Sequence, residues 1–306
     1  MRRILDKLRS STLPGTPKPI YFPLWTPDST IRWHASLIGY DNIRQFVRNG
    51  LPDNRLTICE SGGFAVKMAP DQKQCLLTQL QLDVDIVLAL DFPFGVKTLS
   101  KFDKLRALDK PEAQRFRILR KNIDNVKEVL KLRHELGRDD VEVMAVAHAW
   151  NKASFIYIVE EFLAAGCDMF SLSDLSDNAS SIELIERHEI IRDLIGRHCW
   201  FHSLGTTSVS FLARIKHLID SFDSSTAVTS AARMHTLSAG GKWESAGMKS
   251  GTLRLMKNNP RFKEVAEAHT PLYPFSQPYE PDDADARVLV PPTVVQTLPR
   301  ALELLS

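Results

Sequence analysis

Short apolar runs alternate along this chain with longer stretches whose apolar residues recur every three or four positions. Ile20-Tyr-Phe-Pro-Leu-Trp25 opens the series as a strand ending in a loop. A helix is expected from about 34 to 48, closed by Asn49-Gly50. Arg55–Cys59, Asp85–Leu90, Val141–Ala147, Asp168–Leu172, Cys199–Leu204 and Leu218–Phe222 read as further strands. Between them, Leu119, Ile123, Val126 and Leu130 form one apolar stripe on a helix from about 110 to 136. Gly137 ends it, and its other face is rich in Arg and Lys. Phe155, Val159 and Phe162 line a second helix around 153–165, stopped by Gly166, and Ser180-Ser-Ile-Glu183 is a capping-box pattern opening a third that runs to Gly196.

Strands alternating with amphipathic helices are the signature of βα units around a parallel sheet. A doubly wound open sheet and a (β/α)8 barrel share that local pattern. No Gly-rich dinucleotide fingerprint follows the first strand. The fold expected is therefore an α/β, (β/α)8 TIM-type barrel over residues 20–240, with seven strand candidates visible and an eighth not evident. A basic arm, residues 1–19, precedes it. Residues 241–306 form a basic and then Pro-rich extension, expected to pack on the barrel and to end in a helix around 292–305.

At 306 residues and 43% hydrophobic, the chain has ample material for a full core. The formal net charge of +2 is unevenly spread. Residues 1–18 carry Arg2, Arg3, Lys7, Arg9 and Lys18 against Asp6 alone. Residues 240–263 carry Lys242, Lys249, Arg254, Lys257, Arg261 and Lys263 against Glu244 alone. Both segments suit phosphate contact, and both suit ordinary solvated surface. Cys59, Cys75, Cys167 and Cys199 are widely spaced, which points to reduced thiols rather than a disulfide framework. Neither a secretory signal nor a membrane-length apolar run is visible, so a cytoplasmic protein with no membrane partner is expected.

In a barrel of this kind the site is built where strands end and their following loops begin. Cys59 is followed by Glu60-Ser61-Gly62-Gly63-Phe64, Leu90 by Asp91-Phe92-Pro93-Phe94, and Ala147 by His148-Ala149-Trp150. Leu172 is followed by Ser173-Asp174, Leu204 by Gly205-Thr206-Thr207, and Phe222 by Asp223-Ser224-Ser225. Strand ends are polar partly because they meet solvent. Three acids, a histidine and two glycine-containing turns on one rim nevertheless favour a site. A carboxylate ending a buried strand, as Asp223 does, is costly unless it is paired, hydrogen-bonded or used. Two carboxylates can serve as nucleophile and acid/base at a sugar carbon, through a covalent glycosyl intermediate. A third could hold the N–H donors of a guanine-like base, with Phe64 and Phe92 or Phe94 stacking on it. There is no Walker-type loop, no H-E-x-x-H and no G-x-S-x-G.

Glu60-Ser61-Gly62-Gly63-Phe64, Asp85-Ile-Val-Leu-Ala-Leu-Asp91 and Ile219-Asp-Ser-Phe-Asp223-Ser together resemble the tRNA-guanine transglycosylase superfamily. The closer likeness is to its DNA-acting branch, the 7-deazaguanine DNA transglycosylases of phages and bacterial modification islands. The resemblance covers residues 20–240 and implies exchange of guanine in DNA for a 7-deazaguanine such as 7-cyano-7-deazaguanine, a queuosine-related base. It makes Asp223 the nucleophile on C1′, Glu60 the acid/base in place of the family's aspartate, and Asp91 the acid that holds the base. It makes Phe64 the stacking aromatic and places Ser61, Gly62, Gly63 and Gly205 around the base. His148 stands where the tRNA enzymes read the base with glutamine, and Ser173 and Asp174 where they have glycines. The family's zinc element follows its nucleophile, whereas all four cysteines here precede Asp223. Neither a zinc site of that kind nor a nucleotide cofactor is therefore expected. That loss favours DNA over tRNA as the polymer, with Arg233, Lys242, Lys249, Arg254 and Lys257 as a substitute nucleic-acid clamp. Accessory modification proteins are further candidate partners, and a phage-encoded chain would work in the host cytoplasm.

Other readings stay open at this point. The polymer could be tRNA, or the chain could be a non-catalytic nucleic-acid-binding subunit. An unrelated barrel lyase or hydrolase could use Gly205-Thr206-Thr207 to hold a phosphorylated substrate. His148 also fits a satisfied core histidine, Trp150 fits packing, and Arg233 fits a structural pairing with Asp220. His198 and His202 beside Cys199 suggest a metal site only weakly.

Overall fold

Ala35–Ile38, Leu56–Cys59, Ile86–Leu88, Glu142–Val146 and Met169–Ser173 are buried at every position, as parallel strands covered on both faces must be. The computed structural model describes residues 19–25, 35–49, 56–62, 71–94, 96–97, 102–103, 110–173, 181–206, 209–224, 235–237 and 243–245. The arm at 1–18 and the chain beyond 245, including the expected terminal helix, lie outside the described residues.

In chain order the strands are β1 (Ile20–Trp25), β2 (Ala35–Ile38), β3 (Leu56–Cys59), β4 (Ile86–Leu88), β5 (Val96–Lys97), β6 (Phe102–Asp103), β7 (Glu142–Val146), β8 (Met169–Ser173), β9 (Trp200–Leu204), β10 (Ser221–Ser224), β11 (His235–Leu237) and β12 (Trp243–Ser245). The helices are α1 (Ile43–Asn49), α2 (Gln72–Gln79), α3 (Glu112–Glu135), α4 (Lys152–Ala164), α5 (Ser181–Ile195) and α6 (Val209–Ile215). Strands β1-β10-β9-β8-β7-β4-β3-β2 close into a barrel in that order. Each neighbouring pair is parallel. The helices alternate with the strands, as in a TIM-like barrel.

The core divides with a period of two along each strand. Phe22, Leu56, Ile58, Ile86, Leu88, Met144, Val146, Met169 and Trp200 fall in one cluster, the barrel interior. Their strand neighbours Cys59, Val87, Val143, Ala145, Phe170, Phe201 and Phe222 fall in another, with Leu119, Val126, Phe155, Phe162 and Leu212 of the helices. Since Phe201 and Phe222 pack toward the helices, the alternation sets His202, Ser221 and Asp223 on the interior side. The Asp223 carboxylate is therefore placed by strand parity.

Three expectations change. The helix expected from about 34 to 48 begins only at Ile43. Ala35–Ile38 is strand β2, a short 3-10 turn covers Tyr40–Asn42, and pairing with both β1 and β3 overrides local preference. The last barrel strand starts three residues later than the expected Leu218–Phe222 and ends two later, so Asp223 lies within it. The boundary expected at 240 is crossed by an antiparallel pair, since β12 pairs with β11. Helices α2 and α6 and the β5–β6 hairpin had no sequence counterpart. Ser180 of the expected capping box lies outside the described residues. By contrast, α4 has a capping box of its own, with Asn151 and Ser154 bonded reciprocally.

Candidate active site

Asp223 reaches the C-terminal rim of the barrel on β10 and is 3% exposed. Its Oδ1 accepts hydrogen bonds from His202 Nε2 at 3.0 Å and from the Gly205 backbone N–H at 2.8 Å. His202 Nδ1 lies 2.7 Å from Ser221 Oγ, which also accepts from Trp200 Nε1 at 2.8 Å. One assignment satisfies every group. Trp200 donates to Ser221, Ser221 donates to His202 Nδ1, and Nε2–H of a neutral imidazole donates to the carboxylate. Oδ2 of Asp223 has no hydrogen bond among the described residues. One oxygen is anchored and the other is available.

On the same rim, four strands from β10 in either direction around the barrel, Asp91 follows β4 and is 5% exposed. Ser61 Oγ donates to its Oδ1 at 2.5 Å, and His148 Nε2 donates to its Oδ2 at 2.7 Å. His148 Nδ1 is buried with no hydrogen-bond partner among the described residues. With Nε2 carrying the proton, Nδ1 is an acceptor awaiting a donor. Asn122 of α3 fixes the Asp91 loop by bonding both the N–H and the carbonyl of Phe92, at 2.8 and 3.1 Å.

Glu60 follows β3 and is half-buried. Its backbone N–H donates to Ile38 O at 2.9 Å. The buried Gln79 amide of α2 donates to the carbonyls of Cys59, Glu60 and Leu88, at 3.2, 3.1 and 2.9 Å. One side chain thus ties the ends of β3 and β4 together, while Gln72 Oε1 accepts from Leu90 N–H at 2.6 Å. Gly62 sits at φ 75°, and a Cβ there would lie 2.7 Å from the Tyr40 ring. Only glycine fits.

The structure draws the expected residues into two hydrogen-bonded groups on one rim. Asp91, Ser61 and His148 form the first, and Asp223 and Gly205 the second. Glu60, at the end of β3, precedes the first group, and Ser173, at the end of β8, lies between His148 and Gly205 in strand order. Gly63, Phe64, Asp174, Arg233, Lys242, Lys249, Arg254 and Lys257 lie outside the described residues. Phe94 is 1% exposed with its ring edge-on to Trp150 at 5.6 Å, so it is packing and not a stacking face. Asp220 pairs with Arg192 at 2.6 Å. Gly205 N–H is taken by Asp223, and Thr206 Oγ1 lies 2.6 Å from Ser203 Oγ, which removes two donors from the suggested phosphate loop.

Sequence reasoning missed His202 as the partner of Asp223. Strand parity was the available signal, since His202 and Asp223 fall on the interior side of neighbouring strands. Burial raises the Cys59 thiol well above its ordinary value and pushes Cys75 and Cys167 up to about 12, so these thiols stay protonated and are poor nucleophiles. Among the described residues, no three His, Cys, Asp or Glu side chains form a group that could hold a metal ion. No described helix is long and apolar enough to cross a membrane.

A third buried histidine, His188, supports the turn that carries Gly205. His188 Nδ1 donates to Leu184 O at 2.7 Å, and its Nε2 lies 2.9 Å from Ser203 Oγ. The carbonyl can only accept, so Nε2 accepts from Ser203, which in turn accepts from Thr206. Burial, reinforced by Arg187, lowers His188 to about 4. Unfolded, it would titrate near 6.5. The unfolded chain therefore binds the extra proton as pH falls below about 6.5, and stability present above that value is lost on the way to pH 4. The expected loss is on the order of 3 kcal/mol. Urea melts at pH 7 and pH 4.5 should show it, and His188→Gln should flatten that part of the profile. An equal loss in the variant would contradict the assignment.

No protein-family model matches the chain, and no curated protein matches it significantly.

Proposed function

We propose that the chain is a DNA-guanine transglycosylase, a base-exchanging pentosyltransferase on a complete (β/α)8 barrel with its C-terminal extension packed against it. The observation that carries this reading is the pair of buried rim carboxylates, each oriented by an imidazole, with one oxygen of Asp223 unengaged. Two acids at the opposite ends of strands are paired with arginines, Glu142 with Arg133 at 3.5 Å and Asp220 with Arg192 at 2.6 Å. Asp91 and Asp223 have no ion pair with Lys or Arg among the described residues, which leaves them suited to chemistry rather than to ion pairing.

Asp223 Oδ2 attacks C1′ of the target nucleotide, whose base is flipped from the duplex or taken from a single strand. The C1′–N9 bond breaks, an ester forms, and the departing guanine takes a proton from the Glu60 carboxyl. In the return step Glu60 takes the proton from N9 of the incoming 7-deazaguanine. That nitrogen bonds to C1′ and the Asp223 carboxylate leaves. His202 and Gly205 stabilise the carboxylate as it departs. Asp91 accepts from the base's N–H edge, and His148 Nδ1 offers a further acceptor. The exchange uses no ATP and no redox cofactor.

A tRNA substrate is the second reading, because the motifs that carry the resemblance belong to a superfamily whose other branch acts on tRNA. Incubating the protein with labelled guanine and either DNA or tRNA separates the two. Label is expected in DNA; label in tRNA alone would transfer the activity to that polymer, and label in neither would leave a non-catalytic binding subunit.

A further inference from the structure

The cations of α3 are divided along the helix. In its C-terminal half, Lys127 pairs with Glu161 at 2.6 Å, Lys131 with Glu135 at 3.5 Å, and Arg133 with Glu142 at 3.5 Å. In its N-terminal half, Arg115, Arg117, Arg120 and Lys121 have no ion pair among the described residues. Arg117, Arg120 and Lys121 are exposed. With Ala113, Phe116 and Asp124 they line a shallow depression of about 530 Å³. Spacings of three and four residues put these like charges on one face, an arrangement that opposes helix stability. Charge of this kind, with no ion pair among the described residues, suits an external polyanion.

Aromatic groups adjoin the charge. Phe116 is 39% exposed and stands edge-on to Trp150 at 5.2 Å. The Arg115 guanidinium lies 4.9 Å from the Trp150 ring, and its buried Nε has no hydrogen-bond partner among the described residues. Trp150 follows His148 by two residues, and Asn122, one residue beyond Lys121, clamps Phe92 beside Asp91. The N-terminal half of α3 is therefore built against the loop that carries the candidate base-holding acid, about 9 Å along the helix from Phe116 to Asn122.

We propose that this face, Arg115, Phe116, Arg117, Arg120 and Lys121 with Trp150 behind it, is where a nucleic-acid strand approaches the site. The cations contact its phosphates and Phe116 offers a stacking face to a base. The proposal rests on the nucleic-acid reading above and adds a surface that reading does not include.

The test is anisotropy of a labelled single-stranded oligodeoxynucleotide, and of RNA of the same sequence, with the full chain over a salt series. Substituting Arg117→Gln, Arg120→Gln and Lys121→Gln together should weaken binding roughly tenfold or more and flatten the slope of log K against log salt by about 2. Lys131→Gln, lower on the same helix, should bind as the unaltered protein does. Unchanged affinity and slope in the triple variant would overturn this surface and leave the proposed chemistry standing. Failure of the unaltered protein to bind either polymer would overturn both. If RNA binds in preference and the triple variant weakens it, the surface holds and the polymer is RNA. If circular dichroism finds the triple variant unfolded, Arg117→Gln and Lys121→Gln singly, each expected to lower the slope by about 0.7, decide the question.

Discussion

Asp223→Asn should abolish covalent trapping of nucleic acid on the protein and lower base exchange on the order of 10⁴-fold or more. The substitution removes the nucleophile with little disturbance of its surroundings. An amide oxygen at the Oδ1 position can still accept from His202 Nε2 and Gly205 N–H, which lie 3.0 and 2.8 Å from the carboxylate. The thermal midpoint should therefore stay close to that of the unaltered protein while the adduct disappears from a denaturing gel. Loss of both together would point to a structural carboxylate. Full exchange of labelled guanine by the variant would remove Asp223 from the chemistry.

Glu60→Gln should slow both half-reactions, by roughly 10² to 10⁴-fold, because no carboxyl remains to give a proton to guanine or take one from the incoming base. The adduct should form slowly and, once formed, resolve slowly. Glu60→Asp is the informative companion. It shortens the side chain by one methylene while Gln79 still holds the Glu60 carbonyl at 3.1 Å, so main-chain placement is kept and only reach changes. Part of the activity should survive in the aspartate variant and not in the glutamine variant. Equal activity in both would assign the proton work to another group. Single-turnover adduct formation, measured on a gel, separates these outcomes.

The barrel was legible in the sequence wherever an apolar run was bounded by turn residues, as at Leu56–Cys59 and Glu142–Val146. Ala35–Ile38 was not legible, because four residues carry little periodicity and their strand state comes from pairing with Leu24–Trp25 and Leu56–Cys59 on either side. The rim acids were legible because strand ends are where a barrel places chemistry. What orients them was not. His202 meets Asp223 through the register of β9 against β10, in which His202 faces Ser221, and no local pattern announces such a pairing. Gln72 and Gln79 look like the polar face of an ordinary helix, yet both are fully buried and bond the main chain at the ends of β3 and β4. Their role appears only once the strand ends they hold are known. The unpaired cations of α3 were visible as a basic face, but their separation from the paired ones required the positions of Glu161 and Glu142.

The central claim is that this barrel replaces a base at C1′ in DNA. Nucleoside mass spectrometry of DNA from cells expressing the protein, supplied with a 7-deazaguanine, measures that product directly. A 7-deaza-2′-deoxyguanosine species is expected with the unaltered chain and none with Asp223→Asn. Unmodified DNA from both, with accessory modification proteins supplied, would contradict the claim.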